Sequence, residues 1–190
     1  MKPILLLVTM AAFAQQPPVR ILISYHSETG NTEKIAQAIS KGAASVSGVD
    51  ITLRKTSEVK DEDIPRYDGI VLGTPVQWSN LSAEAKRFLD RVGNALWKVK
   101  ANGDGRTAGA FCTGGGVSMG KDVARLSILS AFLTMRFTVI GGVDDQGFGT
   151  LGPEATTGPS DPGVSDQEQE QGRRFGERFA RMTRQIRTAR

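Results

Sequence analysis

Three short segments of this sequence contain residue types that can bind a phosphorylated, planar ligand. The first loop is the run Ser27, Glu28, Thr29, Gly30, Asn31 and Thr32. It offers hydroxyls, an amide and a glycine just before a predicted helix, where free N–H groups and the helix dipole favour an anion. A phosphate monoester could therefore bind here without Lys or Arg. An ordinary capped turn is the alternative, but a cap needs only one such residue.

The other two segments can contact a planar ligand, one through an aromatic side chain and the other through its backbone. The second loop is the run Thr74, Pro75, Val76, Gln77, Trp78, Ser79 and Asn80. Its proline stiffens the turn, and the face of Trp78 can lie against an aromatic ring. The third loop is the run Thr113, Gly114, Gly115, Gly116, Val117 and Ser118. Glycine at that density lets the backbone approach a bulky planar ligand, although a merely flexible loop would have the same composition.

The elements around these loops predict how they meet. Apolar, β-branched runs predict strands at 19–25, 49–55, 68–73, 106–112 and 137–142, while periodic apolar residues predict helices at 32–46, 81–92, 123–135 and from about 166. Residues 144–165 are rich in Gly, Pro, Thr and Asp, which predicts a long surface loop. The alternation predicts an α/β fold with a doubly wound, five-stranded parallel sheet of order 2-1-3-4-5. Ligands then bind beyond the carboxyl ends of the strands, where the three loops lie.

Composition narrows the class of protein. The chain has 190 residues, 39% of them hydrophobic and 23% charged, which suits one soluble domain. Its formal net charge is +4, but the basic residues cluster only in the last predicted helix, where they alternate with apolar ones. We therefore expect an amphipathic helix and no nucleic-acid partner. A single cysteine, Cys112, excludes an intramolecular disulfide and a cysteine-based zinc site, and we predict no metal.

The N-terminus has the layout of a short secretory signal. Lys2 precedes an apolar run at 4–13, and Ala12-Phe13-Ala14 has small residues where a signal peptidase cleaves. The run is too short for a stable membrane span. We predict a signal peptide at 1–14, a linker at 15–18 and one domain at 19–190, with an extra strand or a misassigned start as alternatives. The protein is then exported or periplasmic if the signal is cleaved, and cytoplasmic otherwise.

Three other motifs are rejected. Gly115, Gly120 and Lys121 satisfy G-x-x-x-x-G-K, but Asp122 follows where a P-loop needs Ser or Thr. Met119 breaks the dinucleotide-binding pattern G-x-G-x-x-G. The only histidine, His26, and Cys112 could form a nucleophilic pair, but no acid is evident to orient them. We predict no catalytic side chain.

The first loop resembles the flavodoxin phosphate-binding loop. The segments 73–82, 88–90, 96–97, 113–114 and 128–130 resemble the WrbA-type NAD(P)H:quinone oxidoreductases of the flavodoxin superfamily, and the similarity extends from residue 19 to about 186. The resemblance implies FMN, with its phosphate held by Ser27 to Thr32. The ribityl chain and isoalloxazine would be lined by Pro75, Val76, Gln77, Trp78, Cys112, Thr113, Gly114, Gly115, Gly116 and Val117. It also implies a homo-oligomer, dimer or tetramer, with Trp97 near the substrate or across a subunit interface.

The sequence also departs from that family. Gln77 stands where the family usually has Arg, Trp78 replaces Phe, Ser79 replaces Gly and Gly115 replaces Thr. Residues 135–137, Met-Arg-Phe, stand where the family has a histidine beside the flavin. FMN binding is therefore better supported than quinone reduction. The leading hypothesis is ping-pong, two-electron transfer from NAD(P)H to a quinone-like acceptor. A flavodoxin-type electron carrier without an organic substrate and a flavin-free binding module are the alternatives.

Overall fold

A computed structural model describes residues 17–117, 119–143, 149–158 and 163–189. The strands are β1 (Val19–Tyr25), β2 (Val49–Lys55), β3 (Gly69–Gln77), β4 (Asn80–Leu81), β5 (Thr107–Gly114), β6 (Thr138–Val139) and β7 (Glu154–Thr156). The helices are α1 (Asn31–Ala44), α2 (Ala83–Lys98), α3 (Lys121–Thr134) and α4 (Asp166–Thr188), with 3-10 turns at Thr56–Glu58 and Asp61–Arg66. The signal predicted at 1–14 lies outside the described residues.

The sheet has the predicted doubly wound order. Its parallel strands run β2-β1-β3-β5-β6, while β4 pairs antiparallel with β3 and β7 pairs parallel with β5. The register Thr74↔Cys112 and Pro75↔Thr113 sets the second loop beside the third. Because β1, β3 and β5 are parallel neighbours, the first, second and third loops, which follow their carboxyl ends, all emerge at one edge of the sheet. The predicted α/β fold class is confirmed.

Apolar side chains cover both faces of the sheet, as a parallel sheet requires. On one face, Ile21 and Ile23 of β1 pack with α1 and α4 in a core that includes Phe175. On the other face, Leu22 packs with α2 and α3 in a core that includes Phe132. Alternate residues of β1 thus enter opposite cores, and the buried sheet gives the loops at its edge a rigid base.

Three elements differ from the sequence prediction. The strand predicted at 137–142 is interrupted. Strand β6 pairs with the start of β5, and the chain then turns away from the sheet near Gly142, which has a φ of 73°. Strand β7 pairs with the end of β5 in its place. Residues 144–165 therefore contain a strand, whose three residues are too few to show a period. The predicted second loop is largely the end of β3 and a hairpin to β4. Helix α2 continues through Gly93 because Ala95 and Leu96 extend its buried face.

No helix among the described residues is long and apolar enough to cross a membrane.

Candidate cofactor site

The first loop forms an open helix N-terminus. Gly30, the residue that precedes α1, has a left-handed φ of 88°, and a methyl group placed on it would meet no atom within 4 Å. Ser27 Oγ accepts the N–H of Gly30 at 3.1 Å and that of Glu33 at 3.4 Å. Within the described chain, no protein group accepts the N–H of Asn31 or Thr32. The loop thus offers N–H donors and the positive end of a helix dipole to an anion.

The second loop presents a tryptophan on a strained turn. Gln77 pairs with Asn80 across a two-residue hairpin turn, and the turn residues Trp78 and Ser79 have φ values of 49° and 61°. Such turns usually contain Asn-Gly, because a side chain in the left-handed region costs about 1–2 kcal/mol. Trp78 is nonetheless fully exposed and packs on nothing in the described chain. A strained residue with a bare aromatic face is the pattern of a ligand-binding position.

The third loop brings backbone and apolar side chains to the same edge. Gly114 ends β5 in close packing, since a methyl group there would lie 3.0 Å from Lys121 Cγ and 3.2 Å from Val76 Cγ2. Beyond it, Gly115 and Gly116 leave the backbone accessible, and Val117 and Met119 are exposed. Ser118 lies outside the described residues. Together with Trp78, these side chains form an apolar rim that a planar ring could cover.

Hydrogen bonds and packing join the three loops. The buried hydroxyls of Thr32 and Thr113 lie 2.8 Å apart, which links the first loop to the third. Gln77 Nε2 donates to Glu28 Oε1 at 2.8 Å, which links the second loop to the first. These two contacts bring the three predicted loops together at one edge of the sheet. Cys112 differs from the other predicted cofactor residues because its thiol points inward and donates to the Lys121 carbonyl at 3.5 Å, so only its backbone borders the site.

A polar network beneath the second loop escaped the sequence reasoning. His26 Nδ1 lies 2.9 Å from Ser82 Oγ, and Thr74 Oγ1 accepts the Ser82 N–H at 2.9 Å. Ser82 also caps α2 by accepting the Ala85 N–H at 3.2 Å. His26 thus bridges β1 and the hairpin, and its ring contacts Ser82, whereas the Cys112 thiol bonds to Lys121. The only sequence signal was the position of His26 directly after β1.

Two groups at the edge hold their protons tightly. Burial, aided by Glu154 and opposed by Arg125 and Lys121, raises the pKa of the Cys112 thiol to about 12. Burial, followed by a hydrogen bond to Glu33, raises the pKa of Tyr25 to about 12. Both groups are neutral at physiological pH. At that pH Cys112 is therefore a thiol and not a thiolate.

The structure does not bring Trp97 to this site within one chain. Trp97 is exposed at the far end of α2, while the start of α2 lies at the loop edge. With a rise of about 1.5 Å per residue, the helix separates the two by roughly 20 Å. Within one chain, Trp97 therefore lies away from the three loops. No group of His, Cys, Asp or Glu in the described residues could hold a metal ion.

A doubly wound sheet with an anion-binding turn, an exposed aromatic hairpin and a glycine-rich loop at its switch point defines a protein that binds a phosphorylated aromatic cofactor. A model of the flavodoxin domain matches residues 22–102. A flavodoxin from Aquifex aeolicus is 34% identical over 161 residues, which are 85% of each chain. The chain therefore belongs to the flavodoxin family. Homologues in this family bind FMN, in agreement with the predicted cofactor.

Two further similarities bear on the finer class. An NAD(P)H dehydrogenase (quinone) from Acidithiobacillus ferrooxidans is 35% identical, but over 99 residues that cover 42% of this chain and 49% of that protein. The solved structure of a WrbA-like flavodoxin from Agrobacterium tumefaciens superimposes with a TM-score of 0.68 at 22% identity, covering 88% of this chain and 98% of that one. The second similarity shows the fold alone.

Proposed function

We propose that this chain binds FMN in the three loops and transfers electrons through it. The observation that carries the proposal is the exposed Trp78, held in a strained hairpin between an open helix N-terminus and a glycine-rich loop. When bound, FMN supplies one-electron and two-electron redox chemistry. The protein supplies binding, orientation and exclusion of water.

The first loop fits the phosphate. The N–H groups of Asn31 and Thr32 point out of the N-terminus of α1, and the hydroxyls of Ser27 and Thr29 stand beside them. The Thr32 hydroxyl also lies 2.8 Å from the Thr113 hydroxyl, and this contact positions the first loop against the third. A dianionic phosphate there is stabilised by the helix dipole as well as by hydrogen bonds.

The second and third loops fit the ring system. Trp78 offers a flat apolar face, and Val117 and Met119 offer apolar contact across the edge. The exposed backbone of Gly115 and Gly116 can approach the ring closely. Covering these side chains would remove apolar surface from water on both partners, which stabilises the complex.

The electron carrier is the form that we favour. The flavodoxin relative matches 85% of both chains, whereas the quinone dehydrogenase matches less than half of either. Export, if residues 1–14 are a cleaved signal, also favours a carrier because NAD(P)H is scarce outside the cytoplasm. The carrier would exchange electrons with protein partners at the exposed Trp78 edge.

Ping-pong reduction of a quinone-like acceptor by NAD(P)H is the second candidate. The 35% identity to the quinone dehydrogenase over 99 residues supports it, as does a net charge of +4 in place of the acidic surface usual for carriers. A homo-oligomer that carries Trp97 to a neighbouring site belongs to this candidate. In that case the enzyme would use no protein nucleophile.

Titration of the apoprotein with FMN tests the shared step, with flavin absorbance and fluorescence as readouts. Failure to bind FMN would overturn both candidates. Turnover assays with NADH or NADPH and a soluble quinone then separate them, because the carrier should show no sustained turnover. For the enzyme, parallel initial-rate lines are expected, and intersecting lines would contradict a ping-pong order.

Export and assembly are tested on the native protein. We propose that it is exported after cleavage near Ala14 and that it forms a dimer or tetramer. Cell fractionation with N-terminal sequencing checks the first statement, and light scattering after gel filtration checks the second. A cytoplasmic protein that retains Met1, or a monomer with bound FMN, would overturn the corresponding statement.

A further inference from the structure

A buried group of charges lies directly behind the third loop. Lys121, the first residue of α3, is only 3% exposed. Its Nζ lies 2.9 Å from Glu154 Oε1 and donates to Thr156 Oγ1 at 2.9 Å. Arg125, one turn along α3, is equally buried and also pairs with Glu154. Two cations from α3 thus hold one carboxylate of β7.

This group is packed against the loop itself. The Lys121 stem fills the space where Gly114 lacks a side chain, and the Lys121 carbonyl accepts the Cys112 thiol. Glu154 begins the strand that pairs with the end of β5, and the Thr157 N–H continues that pairing by donating to the Gly114 carbonyl at 2.8 Å. The position of Lys121 is therefore coupled to the position of Gly114.

The group has more buried positive than buried negative charge. The second carboxylate that meets Arg125 belongs to Asp122, whose side chain is 76% exposed and so is screened by water. What remains behind the loop is two buried cations against the half-buried Glu154. Charges act more strongly in the low-dielectric interior, and charge near a flavin ring tunes its electronics.

We propose that the buried ammonium group of Lys121 favours reduced over oxidised FMN at the third loop. The inference rests on the proposed FMN site and goes beyond it. The two-electron reduced form carries more negative charge at pH 8, so positive charge behind the ring favours it. Lys121 therefore does not act as a P-loop lysine, because its ammonium group points into the protein toward Glu154 and not toward a phosphate.

Removing opposite charges from the same pair tests this inference. Lys121→Met removes a cation, and Glu154→Gln removes the anion that opposes it, with little change in size. The apoprotein variants are titrated anaerobically at pH 8 with FMN and with dithionite-reduced FMN. We expect Lys121→Met to lower the ratio of reduced to oxidised affinity about tenfold, and Glu154→Gln to raise it by a similar factor.

Matched variants separate charge from structure. Lys121→Arg keeps the charge and should keep the ratio within about twofold, and Lys98→Met removes an exposed charge at the far end of α2 and should leave it unchanged. A purely structural role would move both affinities together in both variants, which overturns the inference. Unchanged ratios in Glu154→Gln overturn it even if Lys121→Met fails to fold. If the wild-type apoprotein binds no FMN, the proposed function fails as well.

Discussion

The helices α1 and α3 begin in the same way but present different surfaces. Each is preceded by a glycine in the left-handed conformation, Gly30 at φ 88° and Gly120 at φ 78°. Nothing lies within 4 Å of a methyl group placed on Gly30, whereas one on Gly120 would lie 2.4 Å from Ser79 Cα. One helix N-terminus is therefore open to an anion, and the other is closed by the hairpin.

The difference shows that neighbouring chain, rather than the local motif, decides what a helix N-terminus binds. The glycine-lysine pair at α3 satisfies a phosphate-binding pattern, yet Lys121 is turned inward to Glu154. The first loop has no basic residue, and the N–H groups of Asn31 and Thr32 have no acceptor within the described chain. At α1 the helix dipole and the backbone N–H groups are available to a ligand, whereas at α3 they are covered by protein.

The largest expected effect comes from alanine at the two glycines. Gly120→Ala combines left-handed strain with a clash against Ser79 backbone, so we expect a loss of about 3 kcal/mol in the free energy of unfolding. Gly30→Ala carries only the strain and should lose about 1 kcal/mol. Urea denaturation of the apoproteins measures both. Equal losses would contradict the contrast between a closed and an open N-terminus.

The two exposed tryptophans provide the next comparison. Trp78→Ala should weaken FMN binding by about 2 kcal/mol, roughly 30-fold, because the ring would lose its aromatic contact. The stability of the apoprotein should change by less than about 0.5 kcal/mol, since the side chain packs on nothing. Trp97→Ala, at the other end of α2, is the control and should leave the FMN dissociation constant unchanged. A Trp78 variant that binds FMN normally would remove the main support for the site.

The sequence predicted the long strands and helices better than it predicted the hairpin and the short strand near the three loops. Strand β1 and helix α4 were found close to their bounds because a continuous apolar run and a long amphipathic period are local signals. The hairpin at Trp78-Ser79 was missed because no glycine marks its turn, and β7 was missed because three residues show no period. Which side chains turn inward, as Lys121 and Cys112 do, depends on Glu154 and other distant residues, so local patterns could not show it.

A smaller effect is expected at the bond between the first and third loops. Thr32→Val leaves the Thr113 hydroxyl buried without its partner and should cost about 1–2 kcal/mol of stability, with a weaker FMN affinity because the first loop moves. The control is Thr107→Val, which breaks a similar buried bond to Thr183 at 2.6 Å, at the opposite end of β5. It should lower stability and leave FMN affinity unchanged. Equal loss of affinity in both variants would show that the effect is general destabilisation.

The smallest expected effect is a pH dependence of the free energy of unfolding, caused by the buried Cys112 thiol beneath the third loop. The Cys112 pKa is about 12 in the folded protein against 9.0 for an exposed thiol, so between these values the folded state holds a proton that the unfolded state loses. Stability from this group is therefore complete below pH 9 and falls as the pH rises toward 12. From pH 8.5 to pH 10 the wild type should lose about 1 kcal/mol more than Cys112→Ala, measured by urea denaturation.

Tyr25 titrates in the same range, but it is present in both proteins, so its contribution cancels in that difference. A second readout is the rate at which a thiol reagent labels Cys112. Labelling of the native protein should be slow, and it should become faster when urea unfolds the protein. Rapid labelling at pH 8, or identical pH profiles for the two proteins, would mean that water reaches the thiol. The third loop would then be as open as the first, and the contrast between the two helix N-termini would fail at this point.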